Sequence, residues 1–402
     1  MLSFLRRLIP NRHPIRLAWH HGKALAAAIW YGFPARNLTI IGITGTDGKT
    51  TTVGMLAHIF EYSGIRAGAL STAFFRIGNA IHWNATQKTS PSPFAIQRFL
   101  RECVKEHCTH AVLECSSHGL VQGRLNFTWP TVAAITNVTP EHLDYHGSLE
   151  QYVKDKGLLF MILKKSGTKI LNKDDDFFEE YARIPSSKIR TYSLSDPIVQ
   201  TIELQIPGNF NIENALCAIQ CAKALGLPSK QSIEALKKFT GIPGRMEWID
   251  EGQTFSVFID FTVTPAAYEK TLHTARSMLG SGKRLLVLTG SCGDRMREKR
   301  PVIGKICAEL ADTVVVTNED PYTEDPEQII NEVWQGIEKN MKPNLIAKKI
   351  PDRRDAISFL LTQAKPGDIV LLCGKGSDTT MWMKEGQVPW NEREIVREIL
   401  RK

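Results

Sequence analysis

The sequence predicts an α/β protein: a central parallel-sheet domain built round a phosphate-binding loop, followed by a Rossmann-like C-terminal domain. Three observations carry this. Short apolar, β-branched runs alternate with helical patterns, as parallel strands joined by crossover helices require. The stretch TGTDGKTTT, Thr44 to Thr52, follows one such run and opens a helix. A second alternating series begins after GIPGR, Gly241 to Arg245, whose turn residues mark a linker.

The elements read in order as follows. The first strand is Leu38 to Ile43, and the helical pattern behind it runs from Thr50 to Tyr62. Val112 and Leu113 form a second apolar run that ends in Glu114. Val132 to Ile135 is a third, ending in Thr136 and Asn137. Functional residues are expected at the carboxyl ends of such strands. Beyond the linker, the strands are Ser256 to Ile259, Arg284 to Leu288, Thr313 to Val316 and Ile369 to Leu372. The domains expected are an N-terminal helical segment over 1–37, a central domain over 38–243 and a C-terminal domain over 244–402. A chain of 402 residues exceeds one core and divides naturally this way.

Composition narrows the class. Hydrophobic residues are 43% and charged residues 23%, ordinary for a folded globular protein. The net charge of +8 has no basic recognition helix or aromatic–basic RNA motif beside it. Anionic small molecules are therefore expected in place of nucleic acid. The eight cysteines form no C-x-x-C pair, and no secretory signal precedes them, so a reduced, cytoplasmic protein is expected. No apolar run reaches the roughly 20 residues that span a bilayer. In the first segment Leu2, Phe4, Leu5, Leu8 and Ile9 alternate with Arg6, Arg7 and Arg12, punctuated by Pro10, Pro14 and Pro34. Three readings stand: helices packed on the main body, a basic amphipathic segment touching a membrane or protein partner, or a targeting peptide.

The phosphate loop is the strongest chemical signal. Backbone N–H groups at a helix N-terminus carry partial positive charge and cradle phosphate oxygens. Gly45, Thr46, Asp47, Gly48, Lys49, Thr50 and Thr51 are the ATP-binding candidates. Lys49 suits the β- and γ-phosphates, and the Thr50 hydroxyl suits Mg²⁺. The loop departs from the usual G-x-x-x-x-G-K-[ST], because Ile43 stands at the first glycine position. Glu114, ending a buried strand, suits Mg²⁺ near the γ-phosphate; a helix-capping role is the alternative. His142, Asp144 and His146 have the spacing H-x-D-x-H, which also admits zinc, although no second ligand cluster stands out.

These motifs resemble the Mur ligase family. TGTxGKTTT with its displaced glycine is similar to that family's phosphate loop, and folylpolyglutamate synthases carry a related one. ECSSHGLVQGRL, from Glu114, and TNVTPEHLDYHG, from Thr136, resemble the branch that adds the third stem-peptide residue to a muramoyl dipeptide. GNFNIENA from Gly208, GRME from Gly244, SCGDRMREKRP from Ser291, TNEDPYTEDP from Thr317 and CGKGSDTT from Cys373 follow in the family's order.

The resemblance implies an ATP- and Mg²⁺-dependent ligase that activates a carboxylate as an acyl-phosphate. It implies Lys49, Glu114, His142 and Lys156 as catalytic residues. Thr50, Glu114, His142 and a carbamate on Lys156 would hold metal, with Lys154 the competing lysine. Asn211, Asn214, Arg245 and Asp260 join the ATP site, and Thr89, Ser90, Ser116, Gln122 and Arg124 hold the muramoyl peptide. Arg295, Glu319, Asp320, Tyr322, Gly374 and Asp378 form the amino-acid pocket. A ligase with another acid substrate and a non-catalytic cell-wall paralogue are the alternatives.

Three departures from the family pattern are visible. Only 37 residues precede the first strand, where the family carries a uridine-diphosphate-holding domain. The histidine of D-Y-A-H-T-P is Val263. The arginine of D-N-P-R is Tyr322, and H-E of G-K-G-H-E is Ser377 and Asp378. A guanidinium grips a distal carboxylate with paired hydrogen bonds, and a phenol does not. With three acids in the pocket, a diamine such as lysine is expected in preference to meso-diaminopimelate.

Overall fold

A computed structural model describes residues 12–84, 86 and 88–402. The apolar–arginine alternation of residues 2–9, and Gln87, lie outside the described residues. The chain forms two compact units: residues up to Gln205 with Phe210–Thr240, and Ile206–Asn209 with Gly241–Lys402.

The first unit is built on an eight-stranded sheet in the order β4-β3-β2-β5-β1-β6-β7-β8. Its strands are β1 (Thr39–Thr44), β2 (Ala67–Leu70), β3 (Phe74–Ile77), β4 (Ala80–Trp83), β5 (His110–Glu114), β6 (Val132–Ile135), β7 (Thr168–Asn172) and β8 (Lys188–Tyr192). β1, β5 and β6 are parallel and almost wholly buried. Covered on both faces, such strands read as continuous apolar runs, which is why they were legible. Helices α1 (Pro14–Trp30), α2 (Lys49–Tyr62), α3 (Pro93–Lys105), α4 (Ser117–Val121), α5 (Leu143–His146), α6 (Leu149–Met161), α7 (Phe178–Arg183), α8 (Asn209–Ala224) and α9 (Ser229–Leu236) complete the unit. The register sets Ile43 opposite Glu114 and Thr44 opposite Ile135. The segments leaving β1, β5 and β6 therefore emerge side by side.

The margins of this sheet were not anticipated. β3 and β4 pair antiparallel, and β4 is exposed along its length, as is most of β8. An edge strand is not covered on both faces and carries no apolar run to read.

The second unit holds a six-stranded sheet, β13-β12-β11-β14-β10-β9: β9 (Glu247–Ile249), β10 (Ser256–Asp260), β11 (Leu285–Thr289), β12 (Thr313–Val316), β13 (Ile346–Lys349) and β14 (Ile369–Cys373). All pair parallel except β9. A separate hairpin joins β15 (Thr380–Met383) to β16 (Gly386–Pro389). The helices are α10 (Pro265–Met278), α11 (Lys299–Leu310), α12 (Pro326–Lys339), α13 (Arg353–Gln363) and α14 (Glu392–Leu400). The expected strands hold within one residue at each end. The short edge strand β9, the exposed β13 and the hairpin were not expected.

One buried ion pair ties several of these elements together. Arg353, opening α13, donates Nε and Nη2 to the two carboxylate oxygens of Glu392 on α14, both at 2.7 Å. Its Nη2 also reaches the Cys373 carbonyl at 2.8 Å, and its Nη1 the Asn318 carbonyl at 3.2 Å. Burial works against this guanidinium, yet Glu392 outweighs it and holds the charge on. Removing one partner strands the other in the interior. Arg353→Ala should therefore lower unfolding stability by about 3–5 kcal/mol, while Arg353→Met with Glu392→Leu recovers most of it. Urea denaturation measures both; an unchanged midpoint in Arg353→Ala would remove the pair from the account.

Candidate active site

The loop between β1 and α2 is shaped by two glycines. Gly45 has φ 144° and Gly48 φ 80°, both costly for a residue with a Cβ. Space forbids the Cβ as well: it would lie 1.8 Å from Thr136 Oγ1 at Gly45, and 2.1 Å from Asn214 Oδ1 at Gly48. The segment after β6 pins the loop. Asn137 Oδ1 accepts from Asp47 N at 3.0 Å, and Thr136 Oγ1 donates to the Asp47 carbonyl at 2.6 Å. Thr46 Oγ1 donates to the Thr139 carbonyl at 3.2 Å and accepts from Thr139 N at 3.0 Å. Lys49 Nζ donates to the Thr46 carbonyl at 2.7 Å. Thr51 is buried on α2. Asn214 and Asn211, joined at 3.3 Å, lie against the loop's end through Gly48.

Glu114 sits across from this loop and is 1% exposed. Its Oε2 accepts from Thr50 Oγ1 at 3.0 Å and from Thr72 N at 2.7 Å; its Oε1 accepts from Thr72 Oγ1 at 3.0 Å. Three neutral donors thus fix a buried carboxylate beside the threonine expected at a metal. Thr72 Oγ1 continues to Thr89 Oγ1 at 2.8 Å. Ser90 Oγ donates to the Glu114 carbonyl at 3.1 Å and accepts from Ser116 N at 2.9 Å. Arg124 Nη1 donates to the Ser90 carbonyl at 2.5 Å, and its Nε and Nη2 to Gln122 Oε1 at 3.0 and 2.7 Å. Burial lowers the Arg124 pKa. The expected peptide-binding residues are therefore contiguous with Glu114. Ser116 Oγ caps α4 through Gly119 N.

The two lysines of YVKDK part company. Lys154 is exposed and Lys156 buried. Lys156 Nζ donates to the Gly45 carbonyl at 2.6 Å and lies 4.2 Å from the Tyr152 ring centroid. Burial, then the nearby Lys49 charge, push its pKa well down. An amine that gives up its proton readily is a competent nucleophile.

The H-x-D-x-H residues do not converge as one ligand set. Asp144 is exposed. His146 faces inward, 3.0 Å from Ser117 Oγ by Nε2 and 2.5 Å from Asp155 Oδ2 by Nδ1. Among the described residues no three His, Cys, Asp or Glu side chains gather for a metal. His142 stands apart at the start of α5 with φ 56°, an uncommon backbone state for a side-chain-bearing residue. Its ring meets His118 edge-on at 4.9 Å.

In the second unit, Asp260 Oδ2 accepts from Met246 N at 2.7 Å. The Arg245 guanidinium lies 4.4 Å from the Phe261 ring centroid. The amino-acid candidates gather near the carboxyl ends of β12 and β14. Tyr322 stacks on Trp382 at 5.6 Å, and the Arg295 guanidinium lies 5.3 Å from the Tyr322 ring. A Cβ on Gly374 would come 2.4 Å from Glu319 Oε2.

The expected acidity of this pocket needs correction. Buried Lys375 holds Asp320 by both oxygens at 2.9 Å and Asp378 at 3.1 Å. Two of the three carboxylates are thus countered from within the chain. Burial pushes the Glu319 carboxyl up, and the Cys292 thiol donates to it at 3.0 Å.

Thr72, Lys375 and Trp382 were missed by sequence reasoning. Thr72 lies just beyond β2, a parallel strand whose carboxyl end already marks functional positions. Lys375 was visible in C-G-K-G, three residues before Asp378, but its other partner, Asp320, lies far away in sequence. Trp382 belongs to the unanticipated hairpin.

A phosphate-loop unit carrying a buried carboxylate, with a second parallel-sheet unit behind it in the chain, defines a nucleotide-dependent α/β enzyme. The family comparisons narrow this. Residues 43–222 match the Mur ligase middle domain, and residues 244–376 match the Mur ligase glutamate ligase domain. The chain is 35% identical over 415 residues to a UDP-N-acetylmuramyl-tripeptide synthetase of Roseiflexus sp., covering 93% of this chain and 81% of that protein. It is 36% identical over 405 residues to a UDP-N-acetylmuramoyl-L-alanyl-D-glutamate–2,6-diaminopimelate ligase of Synechocystis sp., covering 93% and 78%. A solved structure of a ligase with that same activity in its description has a TM-score of 0.59 at 31% identity, covering 90% and 78%. MurF from Acinetobacter baumannii shares the fold, with a TM-score of 0.68 at 18% identity over 94% of this chain and 81% of its own. This chain belongs to the Mur ligase family of ATP-dependent, amide-bond-forming ligases.

The close approach of Gly45 to Thr136 is directly testable. Gly45→Ala should destabilise the protein by about 1–3 kcal/mol, the usual range for overpacking. Adding Thr136→Ala should return part of the loss, because the clash is with that hydroxyl. Equal stability of Gly45→Ala and the unaltered protein in urea melts would rule the contact out.

Proposed function

We propose that this chain joins an amino acid, a diamine such as lysine, to a muramoyl dipeptide at the expense of ATP, in peptidoglycan precursor synthesis. The observation that carries the reading is the hydrogen bond between Thr50 of the phosphate loop and buried Glu114, with Lys49 and Lys156 both donating to carbonyls of that loop. Relatives described as a tripeptide synthetase and as diaminopimelate ligases support the substrate class.

The donors fit Mg²⁺. A carboxylate and a threonine hydroxyl are hard oxygens, and Mg²⁺ commonly takes one or two carboxylates with substrate phosphates completing its shell. Thr50, Glu114, His142 and a carbamate on Lys156 would hold it. Bound there, the metal supplies neutralising charge to the phosphoryl group in transfer. Lys49 turns from the Thr46 carbonyl to the β- and γ-phosphates. Asn211, Asn214, Arg245 and Asp260 complete the nucleotide contacts. Thr89, Ser90, Ser116, Gln122 and Arg124 orient the dipeptide's carboxylate. That carboxylate attacks the γ-phosphorus and ADP leaves. The amine of the incoming amino acid then attacks the acyl carbon, phosphate leaves, and the nitrogen loses a proton. Arg295 takes the amino acid's α-carboxylate. Tyr322 offers no guanidinium to a second carboxylate, and Glu319 is the acid left to meet a side-chain amine.

ADP release and product mass test the whole reading. UDP-linked muramoyl dipeptide is supplied with lysine, ornithine, meso-diaminopimelate or alanine in competition. The expected result is ADP release that needs the dipeptide, with lysine or ornithine in the product. Predominant meso-diaminopimelate would overturn the diamine assignment, and ADP release indifferent to the dipeptide would overturn the substrate. Lys49→Ala should slow acyl-phosphate formation by about 10²-fold or more with an unchanged circular dichroism spectrum.

Lys156 is tested by chemical replacement. Its amine adds to CO₂ and loses a proton to become a carbamate. Lys156→Ala should be inactive and regain turnover with added acetate or formate. Full activity of the variant without either would end the carbamate role.

A further inference from the structure

The outer face of α1 is the reverse of an ordinary surface helix. Ala24, Ala27 and Ala28 face inward, and the helix packs on α3. The opposite side carries Ile15, Trp19, Leu25, Ile29 and Trp30, with Trp19 63% and Trp30 77% exposed. At 3.6 residues per turn these five share one arc, and only Ala18, Gly22 and Ala26 lie between them. No charged residue stands on that arc. Arg16 and Lys23 fall two turns apart along one edge, with Lys23 Nζ 6.0 Å from the Trp19 ring centroid. A water-facing helix side is normally polar, and an apolar face of this extent marks an interaction surface.

Charge selects the partner. The first acidic residue of the chain is Asp47; before it stand Arg6, Arg7, Arg12, Arg16, Lys23 and Arg36. Arg16 and Lys23 edge the arc and α1 holds no acid, so they disfavour a second copy of the same face, which would oppose like charges. They favour an anionic surface. Tryptophan rings prefer the boundary between headgroups and hydrocarbon. Among the described residues no helix is long and apolar enough to cross a membrane, so a helix of this kind lies in the plane of the interface.

We propose that the outer face of α1 seats this protein on an anionic lipid bilayer, through the apolar arc ending in Trp19 and Trp30 and the cations beside it. The inner side of the same helix touches the peptide-binding stretch. The His21 ring packs on Gly123, between Gln122 and Arg124, where a Cβ would come 2.4 Å from its Cδ2. Arg12, just before α1, pairs with Asp155, the neighbour of Lys156, with Nη2 to Oδ1 at 2.9 Å. Seating α1 therefore holds this edge of the first unit at the lipid surface, about one helix diameter, ~10 Å, away. The inference rests on the helix face and its charge, not on the ligase reading.

Vesicle flotation of the full chain tests it without an activity assay. The protein should float with phosphatidylcholine vesicles containing phosphatidylglycerol, poorly with pure phosphatidylcholine, and less as salt rises. Trp19→Glu with Trp30→Glu should reduce the bound fraction about tenfold or more, and Trp19→Phe with Trp30→Phe should retain most of it. Both sites are exposed, so circular dichroism and the unfolding midpoint should stay unchanged. The proposal is overturned if the unaltered protein fails to float, or if the glutamate variant floats equally well. It is also overturned if light scattering finds a dimer that the glutamate substitutions dissolve, because the face then belongs to a second copy.

Discussion

The pairing of β1 with β5 and β6 is the constraint on which the candidate site depends. Parallel strands all release their chains at the same edge. With Ile43 opposite Glu114 and Thr44 opposite Ile135, three segments distant in sequence emerge within hydrogen-bonding distance. The phosphate loop cannot hold its shape alone. Asn137 and Thr136 bind its backbone from one side, and Glu114 meets Thr50 from the other. A slip of one residue would turn Glu114 to the other sheet face and dissolve the arrangement.

Buried charge is held in two ways, and the difference bears on chemistry. In the second unit, Arg353 meets Glu392, and Lys375 meets Asp320 and Asp378. These charges are answered within the chain and chiefly hold structure. In the first, Glu114 is held by neutral donors, while Lys156 donates to a carbonyl and is driven toward its neutral form. The same contrast bears on the amino-acid pocket expected from the sequence. Its acids look available in the sequence, but Lys375 has already met two of them.

Local patterns by themselves determine much of this protein. TGTDGKTTT announces a strand, a tight turn and a helix because only glycine tolerates the backbone of Gly45 and Gly48. The buried strands β1, β5 and β6 are legible because burial on both faces demands unbroken apolar runs, whereas the equally buried β2 and β7 carry glycine or polar residues and were not read. Glu114 and Asn137 could be singled out because they end such runs. Tertiary structure decided what depends on distant neighbours. Lys154 and Lys156 are indistinguishable by type, and only the packing of α6 against the loop buries one and exposes the other. His146 looked like a companion of His142 until its ring turned to Ser117 and Asp155. Thr72 meets Glu114, and Lys375 meets Asp320, across tens of positions, and the edge strands have no two-sided burial to write a pattern. The outer face of α1 belongs to both levels. Its apolar spacing and missing acids are written in the sequence, but only packing shows that the alanine side faces inward and the tryptophans face out.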